Sequence, residues 1–354
     1  MRDSDRLRRL FETVLTRCIA ERLVGGGGFA VDASLIKADA NRQKGVEGTN
    51  GLPPETVSRV ARDYLAVLDA AFGAATPVVP KLVSPADPAA RWTGADGGLA
   101  YFADAENDLI DLDHAVIVDV EPTSAIRRAE VTAAERMIVR SRERFDLYPA
   151  RLAGDGGYGS AAMLGWLVHE QDIEPHIPVF DKSERRDGTF SRSAFTYDPG
   201  ADVDTCPASK HLRQRQTVYR SPPPLVDADG MLRYRASKHD CDACALKPRC
   251  CPNASARKIP RSIHEGARQM ARDICASEAG RTSRRERKKV EMPFAHLKPI
   301  LKLDRLRLRG PDGVRDEFHL AAAAQNLRKP AKPPVSSRSK PTARVSTKPA
   351  HPGH

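Results

Sequence analysis

Apolar residues recur at helical spacing across residues 5–23, at Leu7, Leu10, Phe11, Val14, Leu15 and Ile19, which predicts an amphipathic helix. The glycine run Gly25 to Gly28 should stop it. Residues 29–36 follow as a short apolar run interrupted by Asp32, the pattern of a buried strand carrying one acid. Residues 37–55 are polar and glycine-rich and read as a loop, residues 55–72 regain the helical period, and residues 73–97 are punctuated by proline and glycine. Strand-like runs then come around residues 99–102 and at 115–120, with residues 107–114 as a hairpin connection, so antiparallel pairing is expected.

Further on, residues 125–145 read as a helix, 151–154 as a short strand, 160–171 as a helix and 173–180 as a strand. The order β-β-β-α-β-α-β predicts an α/β fold, a mixed sheet that opens as a meander and continues with alternating helices. From 181 to 260 the texture changes to short polar stretches, prolines and a cysteine group, which reads as an insertion with little regular structure. Helix returns at 263–297 and 314–327, and the Pro-, Ser-, Lys- and Arg-rich tail at 330–354 reads as disordered and basic. The expected organisation is an N-terminal helix (1–28), a first part of the core (29–180), the Cys-rich insertion (181–260), C-terminal core helices (261–329) and the tail.

A chain of 354 residues, 40% of them hydrophobic, can fill a sizeable core. Its formal net charge of +11 favours a polyanionic partner, nucleic acid first. There is no apolar run of about twenty residues, and the charged N-terminus lacks a signal peptide's apolar centre, so a cytoplasmic protein with no membrane association is expected. Thiols stay reduced in that compartment, which turns Cys206, Cys241, Cys244, Cys250 and Cys251 toward metal binding and away from disulfides. Zinc takes four tetrahedral thiolate or imidazole ligands, and Cys206, Cys241, Cys244 and Cys250 can supply them, with His239 or Cys251 as substitutes. An iron–sulfur cluster, or thiols without a metal, remain alternatives. Cys18 and Cys275 fall in helical patterns as core residues.

Three acids stand out. Asp32 lies within an apolar strand, where a carboxylate is costly unless a cation partners it. Asp155 closes the strand Arg151-Leu152-Ala153-Gly154 ahead of Gly156-Gly157-Tyr158-Gly159, and ligands of α/β sheets gather at such carboxyl ends. Glu291 sits in a basic helix with Arg287 four residues before it and Lys298 seven after it, all on one face.

The segments VDASLIKADAN, HAVIVDVEPT, LAGDGGYGS, IEPHIPVFDKS and RKKVEMPFAHLK, across about residues 10–329, resemble the DDE transposases of bacterial insertion sequences. Arg287, Glu291 and Lys298 occupy three places of that family's Tyr-Arg-Glu-Lys signature, and Arg284 stands in the tyrosine place. Asn107 and Asp111 are kept, while Asp104 and Asp108 stand where aromatic residues are expected. The resemblance implies an RNase H-like core in which Asp32, Asp155 and Glu291 hold two Mg²⁺ or Mn²⁺ ions for DNA strand cleavage and strand transfer. It implies Arg287 and Lys298 as phosphate-gripping groups, transposon ends and target DNA as partners, and a homodimer or larger assembly. Similar Cys-rich insertions occur in such transposases. Family members usually begin with a helical end-recognition domain, so an N-terminally truncated copy is expected. The rival readings are an RNase H-like nuclease without strand transfer and an inactive DNA-binding remnant.

Overall fold

The computed structural model describes residues 5–47, 81–94, 99–125, 127–181, 183–198, 200–215, 220, 224–228, 230–297 and 300–329. The helix expected at 55–72 and the tail at 330–354 lie outside the described residues. The first helix, α1 (Arg6–Ala20), ends before the glycines. Arg22 takes a left-handed φ of 57°, and the N–H groups of Glu21, Arg22 and Leu23 fold back onto Arg17, Ile19 and Cys18 carbonyls. The glycines serve the next connection: the Gly25 and Gly26 N–H groups donate to Asp111 Oδ1, and Gly26 adopts φ 73°.

The main sheet is built around β1 (Gly28–Lys37). On one side β1 pairs antiparallel with β5 (Tyr101–Asp111), whose far edge takes β6 (Ile117–Ser124) and the short β4 (Arg91–Thr93). On the other side β7 (Arg151–Ala153) runs parallel to β1, and β8 (Glu174–His176) parallel to β7. The order is therefore β6-β5-β1-β7-β8, with α2 (Arg127–Phe145) and α3 (Ala161–His169) making the two crossovers. A separate pair, β2 (Val46–Glu47) with β3 (Leu82–Val83), lies off this sheet. Phe11, Leu15, Phe29, Val31, Leu109, Ile117, Met137, Leu164 and Phe318 are among the buried residues of the core, and Cys18 joins them.

Three expectations need correction. The hairpin connection is not at 107–114: Asn107 to Asp111 belong to β5, and the turn comes after them. These polar residues are tolerated inside a strand because their partners are local. Asn107 Nδ2 donates to the Glu121 carbonyl (2.8 Å) and to Thr123 Oγ1 (2.9 Å), and Asp111 accepts backbone N–H groups on both oxygens. The strand expected at 173–180 is paired only over Glu174–His176, since Pro178 has no N–H to continue a ladder. Residues 263–297 form two helices, α6 (Glu265–Ala276) and α7 (Glu278–Leu297), separated at Ser277, whose extended backbone ends the first and whose Oγ accepts the Gly280 N–H. The second helix continues through Pro293.

The segment expected to lack regular structure contains a small three-stranded sheet, β9 (Thr196–Asp198), β10 (Val203–Thr205) and β11 (His211–Leu212). A two-stranded sheet, β12 (Met231–Arg235) with β13 (Lys258–Ser262), accompanies it, along with the short helices α4 (Lys238–Asp242) and α5 (Lys247–Cys250). Strands of two to five residues are too short to leave a periodic signature. The last helix, α8 (Gly310–Leu327), packs on α1 and β6, and Asn326 clasps Ile117 by accepting its N–H (2.9 Å) and donating to its carbonyl (2.7 Å).

Candidate active site

Asp32 lies on β1 and Asp155 just beyond the end of β7, its parallel neighbour. The parallel ladder pairs Phe29 with Leu152 and Ala30 with Ala153. The paired register ends there, two residues short of Asp32 and Asp155. Asp32 is half-buried and its Oδ1 accepts its neighbour Ala33's N–H (2.9 Å). Burial pushes the Asp32 carboxyl up. The Ala33 N–H and the Arg287 guanidinium oppose that, and the charges of Asp155 and Glu291 add to it. Both acids therefore lie within electrostatic reach of Asp32. Asp155 is exposed and held by the Gly157 N–H donating to Oδ1 (2.7 Å). Gly159 is required nearby, because a Cβ there would meet the Pro178 carbonyl oxygen at 2.0 Å.

The third acid arrives on α7, which packs against β1 and β7. Arg151 of β7 fixes that helix, pairing with Glu286 (2.9 Å) and donating to Ser283 Oγ (2.5 Å). Ser283 Oγ in turn shares a hydrogen bond with His176 Nδ1 of β8 (2.8 Å). Burial holds the His176 imidazole below its ordinary range, so it bonds as a neutral ring. One turn beyond this anchor lie Arg287 and Glu291, 3.8 Å apart, with the Glu291 side chain 56% exposed. Arg287 Nε is buried without a hydrogen-bond partner among the described residues. Lys298 lies outside the described residues.

A feature that the sequence reading missed lies beneath Asp32. Along β5 the acids Asp104, Glu106 and Asp108 repeat with the strand's period of two, and Asp108 is the direct cross-strand partner of Asp32. Both carboxylate oxygens of Glu106 and of Asp108 are buried without hydrogen-bond partners among the described residues. Burial drives both carboxyls well above the usual range, with Asp108 adding to Glu106, and Asp32 and Asp119 adding to Asp108. Burial and Asp87 push Asp104 up to about 8, against the pull of Arg91. The buried Tyr158 hydroxyl, also without a partner among the described residues, faces the same set: burial, Glu130, Asp32, Asp155 and Asp108 raise it well above its ordinary value. The acids' alternation was the available signal.

The cysteines gather elsewhere, in a second small core with Phe195, Leu212, Tyr234 and Ile259. Cys241, Cys250 and Cys251 are buried there and Cys206 packs against them. Cys244 is half-buried and apart from that core. As the side chains stand, no three His, Cys, Asp or Glu residues among those described are arranged around a point that a metal ion could fill. No helix among the described residues is long and apolar enough to cross a membrane.

Residues 205–331 match the family model described as "Transposase DDE domain". Over this stretch, about a third of its length, the chain is similar to that domain. A search of curated proteins and of solved structures found no match. The span matched to the DDE domain includes Arg287, Glu291 and the cysteine core and stops short of Asp32 and Asp155. Tertiary structure is what carries both aspartates to it. A DDE domain acts on DNA, generally with divalent metal ions, and the +11 charge of the chain suits that partner.

Proposed function

We propose that this chain cuts and rejoins DNA as a transposase, with two Mg²⁺ or Mn²⁺ ions held by Asp32, Asp155 and Glu291. The observation that carries this reading is the convergence of three acids from β1, the end of β7 and α7, close enough that Asp155 and Glu291 act on the Asp32 carboxyl. The mixed order β6-β5-β1-β7-β8, with Asp32 on β1, is compatible with the RNase H-like core that the resemblance implies. The donor set fits the metals: all three groups offer hard oxygens, and Asp32 has one oxygen anchored by Ala33 while no hydrogen bond among the described residues engages the other.

When bound, such ions neutralise phosphate charge and lower the pKa of an attacking water. The chain's own residues divide the remaining work. Asp32 supplies a rigid ligand from the sheet. Asp155 stands at the solvent edge, oriented by the Gly157 N–H. Glu291 is exposed enough to turn inward from Arg287, and Arg287, released from that weak pair, can hold a phosphate oxygen. Lys298 is assigned the same gripping role by its place in the signature. Transposon ends and target DNA are the partners, and joining two ends calls for a homodimer or larger assembly, working in the cytoplasm.

The test is to incubate the purified chain with DNA carrying the sequences that flank its gene, with and without Mn²⁺. Metal-dependent nicks at the flanks that become joined to a second DNA, and vanish in Asp155→Asn, are expected. Cutting without joining would replace the reading with a nuclease; DNA binding that never leads to cutting would replace it with an inactive remnant.

A further inference from the structure

We infer that the outward face of the strand ladder in the cysteine module, carrying Arg213, Arg235 and Lys258, seats the phosphate backbone of duplex DNA. The inference rests on the reading of DNA as this chain's partner, and not on the acids or their chemistry. The three cations are far apart in sequence, and the ladder sets them side by side. Arg213, the residue after β11, bridges Arg235 of β12: the N–H of each donates to the carbonyl of the other, at 3.0 and 2.7 Å. Arg235 is in turn the cross-strand partner of Lys258 on β13. Residues directly opposite one another on antiparallel strands project to the same face, so the three side chains form one row.

Burial fixes which face that is. Leu212, Tyr234 and Ile259, each adjacent in sequence to one of the cations, are 0%, 1% and 1% exposed and belong to the module's core. Alternation along the strands then turns Arg213, Arg235 and Lys258 outward, and all three are exposed. Strands lie about 4.8 Å apart, so the row crosses roughly 10 Å of surface, enough to meet successive phosphates of one DNA strand.

The row is unfavourable for the fold alone, because like charges directly opposite each other on a ladder destabilise it. The carboxylates of Asp227, Asp242 and Asp204 are engaged by other cations, Arg233 (2.6 Å), Lys247 (2.5 Å) and Arg261 (2.5 Å). A polyanion laid across the row relieves the repulsion. At the Lys258 end the row meets a cleft of about 310 Å³, whose lining adds Arg185 and Arg257 against a single carboxylate, Asp187. Asp187 already accepts the Thr189 N–H (3.0 Å) and hydroxyl (2.6 Å). Arg257 holds the two walls together through the Cys250 and Phe190 carbonyls (2.9 and 2.8 Å), and the exposed Arg185 and Lys258 supply the cleft's outer charge. The module is also fixed to the core: Arg192 pairs with Glu265 of α6, which packs on β8, and Glu265 pairs with Arg268 and Arg272 as well (both 3.0 Å). DNA held on the row therefore keeps a set position relative to the main sheet.

The experiment measures binding of the full chain to a labelled duplex of arbitrary sequence across a range of salt concentrations. Each phosphate contact contributes about 0.9 to the slope of log affinity against log salt, so the combined variant Arg213→Gln, Arg235→Gln, Lys258→Gln should lower that slope by about two to three units. Its melting temperature should hold or rise, because opposed like charges have been removed. The variant Arg6→Gln, Arg9→Gln, Arg22→Gln takes the same charge from exposed positions on α1 and the turn that ends it, and should leave the slope unchanged. If the row variant fails to fold, Lys258→Gln alone decides, with an expected loss of about one unit. An unchanged slope in the row variant, or an equal loss in the α1 variant, overturns the inference while DNA binding itself survives. A larger loss on RNA than on the duplex assigns the row to RNA and also overturns it. A wild-type chain that binds no DNA overturns it together with the reading it rests on. The expected slope loss in a chain that binds DNA without cutting it supports the row and removes only the transposase reading.

Discussion

The end of the main sheet and the cysteine module both place ionisable groups where water is scarce, and they treat them in opposite ways. In the module, buried charge is matched: Arg261 Nε and Nη2 reach Asp204 Oδ2 (2.7 Å) and Oδ1 (2.5 Å), with the side chains 9% and 0% exposed. Under Asp32 the buried carboxyls have no such match: no hydrogen-bond partner among the described residues reaches Glu106 or Asp108, and burial favours their neutral form. A matched pair specifies structure, and its cost appears when one partner is removed. Unmatched acids cost stability in the native state itself, and a large core can carry that cost where a small one cannot. Such a concentration of perturbed carboxyls beside the three acids proposed to bind metal is a feature of functional sites.

This contrast breaks most visibly at Asp204. Asp204→Ala leaves the Arg261 guanidinium buried alone and should destabilise the module by about 3–5 kcal/mol. Hydrogen exchange across β10, β12 and β13 reads that loss; unchanged protection there would show that the pair does not hold the module. At the acids the expected order reverses, with chemistry lost and the fold kept. Asp155→Asn should lower metal-dependent DNA cleavage by at least about a hundredfold, yet shift unfolding by no more than about 0.5 kcal/mol, because this side chain is exposed. A variant that unfolds instead would assign Asp155 to architecture.

A smaller effect concerns pH. The Asp104 carboxyl is raised in the folded state to about 8, so the folded chain holds its proton more tightly than the unfolded chain does. Its contribution to stability is complete below the ordinary carboxylate range and is lost as pH rises through about 8. Asp104→Asn should remove that part of the slope and make the protein more stable than wild type at pH 8, by about 1–3 kcal/mol. Parallel pH–stability curves for the two proteins would contradict it. The mildest change is Arg287→Ala, expected to reduce the slope of DNA affinity against salt by about one phosphate contact while leaving binding in place. An unchanged slope would remove Arg287 from the interface.

Much of the core was legible along the chain. The Asp32 strand, the Asp155 turn and the helices flanking it combine runs of apolar residues with glycine punctuation, and both signals are local. The acids of β5 were harder to place. Asp104, Asn107 and Asp108 look like a polar connection in sequence, and only pairing with β1 and β6 makes them strand residues. The cysteine module was read as irregular for a different reason: its order comes from the Arg261–Asp204 pair, the Arg257 contacts to the Cys250 and Phe190 carbonyls, and clustered thiols, all of them distant in sequence.

The sequence by itself determined the alternation of strands and helices, the three acids, the basic surroundings of Glu291 and the abundance of thiols, because periodicity, composition and short spacing reside in neighbouring residues. Tertiary structure decided which of these groups meet. Parallel pairing sets β1 beside β7, Arg151 and Ser283 position the Glu291 helix, and chain folding gathers Cys241, Cys250 and Cys251 into one small core with Cys206 packed against it. Those meetings depend on side-chain reach across separate elements, which no local pattern encodes.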